Sequence, residues 1–315
     1  MALRFSLRQL EYFQAVAEHG SIAGAADEIN VSSPSISAAI SQLEEEFGVQ
    51  VFVRKHAQGL SLTPAGTQLL AQARQVLAQA RRLGTLAHEV THEVRGPLNV
   101  GCLLTFAQII LPQLRRRFAD AYPDVTFRQF EMSQTGLFEG VRNASLDVAL
   151  TYDLDIPGDL RFQPLATLPP YVLVGAGHPL ARARTVNARM LADHPMVLLD
   201  LPASSEYFLS LFKRTGQTPR IIERTRDIAV MQSLVGNGFG YSLANIQPAP
   251  THSPDGKRLH SVQLSGPLRP LHMGLLHIAK AKPTLTVRTF MAQCARDIGT
   301  AHKPEKTGRR SKTPT

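Results

Sequence analysis

The chain has 315 residues, 43% of them hydrophobic, which suggests two or three domains with ample core. Its two cysteines, Cys102 and Cys294, give neither a disulfide framework nor a zinc cluster and fit a reducing compartment. No apolar run is long enough to span a membrane, and polar residues interrupt MALRFSLRQLEYFQAVAEHG too often for a signal peptide, so a cytoplasmic protein is expected.

The formal net charge is +9, with an uneven distribution: residues 1–65 are net −3, 66–93 net +1, 94–300 net +7 and 301–315 net +4. If the N-terminal part reads nucleic acid, local placement must achieve it, with the acids turned away.

In chain order, residues 7–19 read as a helix capped by Ser6, with Leu10, Phe13 and Ala17 on one face and Gly20 at its end. Ser21 caps a second short helix carrying Ile22, Ala25, Ala26 and Ile29. After the turn at Asn30-Val31, Ser32 or Ser33 caps a third, and Pro34 suits its first turn. Ile36, Ile40, Leu43 and Phe47 form the core stripe of that helix, and Gly48 ends it. VQVFVRKHAQGLSLT then alternates around a turn at Gln58-Gly59, as a small hairpin does. Three short helices and a hairpin make a winged helix-turn-helix.

Thr63-Pro64 starts a long helix. Leu69, Ala73, Val76, Ala80, Leu83, Ala87 and Val90 recur at heptad spacing, a seam narrow enough to imply dimerising coiled-coil packing. Arg95-Gly96-Pro97 breaks that helix, and strands then alternate with helices: LNVGCLL, a helix over 107–121, VTFRQFEM, a helix over 136–144, and LDVALTY. This is a βαβ pattern with a mainly parallel sheet. YVLVGAGHPLA and PMVLLD continue it, followed by a helix from Ser204, a helix–glycine turn–strand unit in VMQSLVGNGFGYSLA, and a last helix over 283–298. The basic tail, 301–315, has almost nothing apolar and is expected to be disordered.

The stretches LRQLEYFQAVAEHGSIAGAADEINVSSPSISAAISQLEEEFGVQVFVR, LSLTPAG, LPQLRRRFADAYPDV, LDVALTY and HPLA resemble those of LysR-type transcriptional regulators, and the resemblance covers residues 5–300. It implies a multi-domain α/β protein: a winged helix-turn-helix over 1–65, a linker helix over 66–93, and a two-lobed effector domain over 94–300 similar to type 2 periplasmic binding proteins. Lobe I would comprise 94–166 and 270–300 and lobe II 167–269, with crossings near 164–170 and 267–271. It also implies a homodimer or homotetramer on an imperfect palindrome in promoter DNA, a small-molecule effector between the lobes, and contact with RNA polymerase. No cofactor, membrane or catalytic role is implied. The rival is an enzyme or solute-binding protein on the same two-lobed fold, which would leave the first 93 residues unexplained.

A recognition helix needs small or hydrogen-bonding residues on its leading face. Ser32, Ser33, Pro34, Ser35, Ser37 and Gln42 are therefore expected at DNA, with Arg54 and Lys55 on the wing. Members of the family commonly carry glutamine where this chain has Ser33, so a different base preference is expected there. Effector contacts are expected where helices start beyond the strands: Thr105 and Phe106, then Ser133, Gln134 and Thr135, then Pro202, Ala203, Ser204 and Ser205. Hydroxyls, helix dipoles and the +7 domain favour an anionic effector. GNGFG at 236–240 lacks the dinucleotide spacing and reads as a turn beside the cleft, with Phe239 lining it. HEVTH, His88 to His92, matches a zinc-protease pattern, but Val90 is a seam position and no third ligand stands out, so no metal is expected. Cys102 and Cys294 lie in apolar periodic segments and are read as core residues rather than redox sensors.

Overall fold

A computed structural model of the chain describes residues 4–55, 59–90, 93–202, 204–246, 251–267 and 269–301; for Lys55, Arg82, 84–90 and 299–301 it gives the backbone alone. Residues 302–315 and, within HEVTH, Thr91 and His92 lie outside the described residues.

The N-terminal unit begins with α1 (Leu7–His19), whose Ser6 hydroxyl accepts from the Gln9 N–H while the Gln9 side chain reaches back to Ser6 N at 2.8 Å. Next come α2 (Ile22–Ile29), capped by Ser21, and α3 (Ser33–Phe47), capped by Ser32 and closed by Gly48 in the left-handed conformation. β1 (Phe52–Lys55) and β2 (Gly59–Leu62) pair antiparallel as a wing. Glu44 anchors the wing to α3, its carboxylate accepting from Val51 N at 2.8 Å and Phe52 N at 3.3 Å. Phe13, Val16, Ala25, Ile36, Leu43 and Val51 form a core of their own.

α4 (Pro64–Val90) joins that core, and here the seam is corrected. Leu70, Ala73 and Leu77 are buried against the winged unit, so Ala73 serves the intramolecular core. Of the remaining seam residues, Leu69 packs partly on the same core, whereas Val76 is 44% and Leu83 72% exposed. The side chains of Ala87 and Val90 lie outside the described residues. Two stripes overlap on one helix: a short one for its own domain and a displaced apolar one left uncovered. At the start of α4, a Cβ on Gly66 would come within 2.1 Å of the Val51 carbonyl oxygen, so only glycine allows the helix to lie so close.

The C-terminal half runs β3 (Gly96–Cys102), α5 (Leu104–Ile109), α6 (Leu111–Ala121), β4 (Val125–Glu131), α7 (Gln134–Arg142), β5 (Val148–Tyr152) and β6 (Leu160–Leu168). It continues through β7 (Tyr171–Gly175), a 3-10 turn (Pro179–Arg182), β8 (Thr185–Val186), α8 (Ala188–Ala192), β9 (Pro195–Leu199), α9 (Ser204–Arg214), β10 (Arg220–Thr225), α10 (Ile228–Gly236) and β11 (Ser242–Ala244). β12 (Leu259–Leu264), β13 (Leu271–Ile278) and α11 (Leu285–Ala301) complete it. One sheet has the order β4-β3-β5-β13-β6 and a second β11-β7-β12-β8, and the β9–β10 pair reaches the residue just before β11 through an isolated bridge between Met196 and Tyr241. The chain leaves the first sheet between Leu168 and Tyr171 and returns between Leu264 and Leu271.

Three expectations change. The helix expected over 107–121 is two helices broken at Ile110, because Pro112 cannot donate to the preceding turn. The sheets are not mainly parallel: β13 runs antiparallel to β5 and β6, and β7 antiparallel to β11 and β12. A strand re-entering from the other lobe arrives in the opposite sense. β6 was not expected, because Pro164 spoils a strand pattern; it lies at a sheet edge, where a missing donor is tolerated.

Candidate functional site

α3 turns one face to its core and leaves Ser32, Pro34, Ser35, Ser37 and Gln42 exposed, with Ser33 half-buried. Ser32 and Ser35 share a hydroxyl–hydroxyl hydrogen bond of 2.7 Å, which places both at the leading end of the helix. Gln9 Nε2 donates to Gln42 Oε1 at 3.1 Å, which turns the Gln42 amino group away from α1. Arg54 is exposed on β1, and the side chain of Lys55 lies outside the described residues. The result is a narrow, uncharged ridge with one long amide donor, a shape that fits a major groove.

Between the two sheets lies a cavity of about 310 Å³. It is walled by the starts of α5, α7, α9 and α10 and by the end of β11. The fold brings Thr105, Ser133, Gln134, Pro202 and Ser204 together here. Thr135 and Ser205 lie beside the lining without joining it, and Ala203 lies outside the described residues.

Two expected lining residues are corrected. Phe106 is fully buried behind the wall, its ring 4.7 Å from that of Tyr152, because the residue after Thr105 in a helix points into the core. Phe239 is 51% exposed on a separate shallow surface with Ala229, Val230 and Pro254. Gln134 lines the cavity, but its amide is committed to holding β5 and the loop that follows, donating to Leu154 O at 2.6 Å and Tyr152 O at 3.5 Å.

Tyr152, Phe208, Met132 and Asn245 also line the cavity and were missed by the sequence reading. The only signal was that Tyr152 ends an all-buried strand; buried Asn245 gave none. Burial pushes the Tyr152 phenol above its ordinary range despite a hydrogen bond with Thr105, so it remains a neutral hydrogen-bonding group.

Among the described residues the lining holds no Lys, Arg or His, and its charged group is Glu131. The +7 of the domain is therefore spent elsewhere, and the charge argument for an anionic effector is not met in the cavity wall. A larger cleft of about 550 Å³ separates α4 from the first lobe, with Gln72, Gln75, Arg81, Arg142, Asp147 and Lys282 in its wall. It lacks the converging helix starts, and its Arg142 is bound to Asp159 at 2.7 Å and Glu139 at 2.9 Å.

Next to the smaller cavity both lobes grip the crossing strands. Tyr207 of α9 donates to Arg269 O at 2.6 Å, and Asn245 donates to Leu168 O at 3.0 Å. From the other lobe Asp153 accepts from Arg269 Nη1 and from His272 N, each at 2.8 Å. Burial pushes the Asp153 carboxyl up, but the His272 N–H and ring and the Arg269 guanidinium outweigh it and hold the group below the ordinary carboxylate range. Cavity wall and hinge thus adjoin: Tyr152 precedes Asp153, and Asn245 belongs to both.

Both thiols are buried, and burial, with Glu131 adding to it, pushes Cys102 up to about 12; burial and Asp297 also raise Cys294. A buried thiol that stays protonated does not act as a nucleophile. No cluster of three or more metal-ligating side chains occurs among the described residues.

A winged helix-turn-helix with an exposed reading ridge, carried on a long helix from a two-lobed receptor, defines a ligand-responsive DNA-binding regulator. The model of the bacterial regulatory helix-turn-helix protein, lysR family, matches residues 7–67, and that of the LysR substrate binding domain matches residues 91–298. The chain belongs to the LysR family of transcriptional regulators. It is 28% identical over 252 residues to the HTH-type transcriptional regulator BsdA of Bacillus subtilis (strain 168), covering 78% of this chain and 86% of that protein. It is 27% identical over 273 residues to the transcriptional activator protein LysR of Escherichia coli (strain K12), covering 85% and 88%. Among solved structures, HinK, a LysR family regulator from Pseudomonas aeruginosa, is 33% identical with a TM-score of 0.63 over 94% of this chain and 99% of that one. Full-length CbnR complexed with its target DNA, at 24% identity and a TM-score of 0.65 over 93% and 99%, shares the fold.

Proposed function

We propose that this regulator acts in the cytoplasm as a homodimer or homotetramer on an imperfect palindromic promoter site. Residues 1–65 read the site, 66–93 pair the subunits and 94–300 sense an effector and signal to RNA polymerase. Ser33, Ser35, Ser37 and Gln42 of α3 meet base edges, Ser32 and Pro34 approach phosphate, and Arg54 and Lys55 reach the flanking backbone. The effector occupies the cavity of about 310 Å³ against Thr105, Ser133, Ser204 and Tyr152, and its presence biases the hinge at Asn245, Tyr207 and Asp153.

The observation that supports this best is that the exposed face of α3, its Ser32 cap and one bond from Gln9 to Gln42 aside, is left to solvent while its opposite face is committed to the winged core. A gel-shift titration with the DNA upstream of its own gene tests it. A specific, salt-sensitive shift is expected, and Ser37→Glu together with Gln42→Glu should weaken it at least about tenfold, through repulsion from phosphate, with an unchanged melting curve. A shift indifferent to both substitutions overturns the assignment of α3 as the reading helix.

A further inference from the structure

The cavity between the lobes has a chemistry that the charge of the domain conceals. Eleven of the eighteen described residues that line it are apolar, among them Leu199, Phe208, Ile228, Leu243, Ala244 and Ile246. Much of the polar remainder is already engaged. The Gln134 amide donates to the Leu154 and Tyr152 carbonyls, and the Asn245 amide donates to Leu168 O and to Tyr207. Thr105 and Tyr152 bond each other, and the Ser133 hydroxyl accepts from Gly136 N while keeping its own hydrogen to donate. What faces a ligand is a mainly apolar lining that also carries the hydroxyl side chains of Thr105, Ser133, Tyr152 and Ser204.

A buried carboxylate or phosphate needs a counter-charge or a dense set of donors, because desolvation otherwise outweighs the contact. This lining supplies no described cation, Glu131 adds a like charge, and two of the converging helix starts are already capped, α7 by the Ser133 hydroxyl on Gly136 N and α10 by the Asp227 carboxylate on Ala229 N and Val230 N. A cavity of about 150 Å³ accommodates benzene, so one of about 310 Å³ suits a body about twice that size.

We infer that the effector is an uncharged, predominantly apolar small molecule about the size of a bicyclic arene, oriented by one oxygen function that the lining hydroxyls take up. This rests on the reading of the interlobe cavity as the effector site. The hydroxyls donate to that oxygen, and the apolar lining takes the ring or chain.

Calorimetry and thermal shift on the full chain, with 1-naphthol, 1-naphthoate and citrate as probes, test the assignment. 1-Naphthol should bind saturably and raise the melting temperature. 1-Naphthoate should bind at least about tenfold more weakly, and citrate should have no effect. Ala244→Phe, which fills the cavity, should abolish 1-naphthol binding. Leu104→Arg, at a half-exposed position of the lining, should turn the preference toward 1-naphthoate. A wild-type preference for 1-naphthoate, a shift with citrate, or no response to 1-naphthol overturns the ligand class. 1-Naphthol binding that survives Ala244→Phe and a preference unmoved by Leu104→Arg would instead overturn the cavity as its site. Gel shifts run in parallel report on the DNA-binding role separately, so failure of either reading is told apart from failure of the other.

Discussion

At the residue scale, His178 shows how a single ring couples local structure to pH. The N–H of Leu180 donates to its Nδ1 at 3.2 Å, so the imidazole caps the 3-10 turn only while that nitrogen is unprotonated. Burial, and then the neighbouring His194 ring at 4.9 Å, push its pKa below the ordinary 6.5. The unfolded chain therefore binds a proton more readily than the folded one below that pH. The contribution of His178 to stability is complete above pH 6.5 and is lost as the pH falls through the lower folded value. Urea midpoints measured at falling pH should drop more steeply for the wild type than for His178→Asn, which keeps a cap without the titration. Equal slopes would show that the ring does not set the acid limb.

At the element scale, α4 carries two stripes, and each predicts its own failure. Leu77 is 2% exposed in the winged core, and Leu77→Asp should unfold that domain, at a cost of about 3–5 kcal/mol for a buried unpaired charge replacing a packed side chain. Leu83 is 72% exposed, and Leu83→Asp should leave the thermal transition intact while shifting sedimentation from oligomer toward monomer. If Leu83→Asp sediments as the wild type does, the uncovered stripe is not a subunit contact. The sequence showed the helix and its seam but not the division between stripes. Leu70 and Leu77 lie one residue beyond Leu69 and Val76, and only the place where the winged domain rests on the helix decides which set is covered. Legibility followed the same logic elsewhere. Ser6, Ser21, Ser32 and Thr63 marked helix starts because capping is local chemistry. Phe106 and Phe239 were misplaced because lining depends on how two distant lobes face each other. Tyr152 and Asn245 were missed because a buried polar side chain declares its purpose only through its partners.

At the scale of the whole molecule, charge is segregated from function. The winged unit, 1–65, holds 4 Lys and Arg against 7 Asp and Glu, although the chain is +9 overall. Few phosphates can then be neutralised by each winged domain. A plot of log K against log salt should have a slope no steeper than about −4 per winged domain, with each neutralised phosphate contributing about −0.9. Filter binding across a salt series measures it. A much steeper slope would show that cations outside 1–65, such as those of the tail, enter the contact. The same segregation separates the two proposed binding events: an uncharged ridge on α3 in the winged unit and a mainly apolar cavity in the two-lobed half, joined by α4.

The serine ridge of α3 has a further consequence for how such a protein changes over generations. Apart from the Ser32 cap with its Ser35 partner and the bond from Gln9 to Gln42, its exposed side chains support little, so they can be exchanged at small cost to the fold, whereas Ile36, Ile40 and Leu43 behind them cannot. On the proposed reading, operator choice and foldability are written on opposite sides of one helix. With the proposed contacts, a duplicated copy of this gene could acquire a new set of promoters through a few substitutions at Ser33, Ser35, Ser37 and Gln42 while keeping its receptor unaltered. A regulator so built can be rewired at its output before its input changes at all.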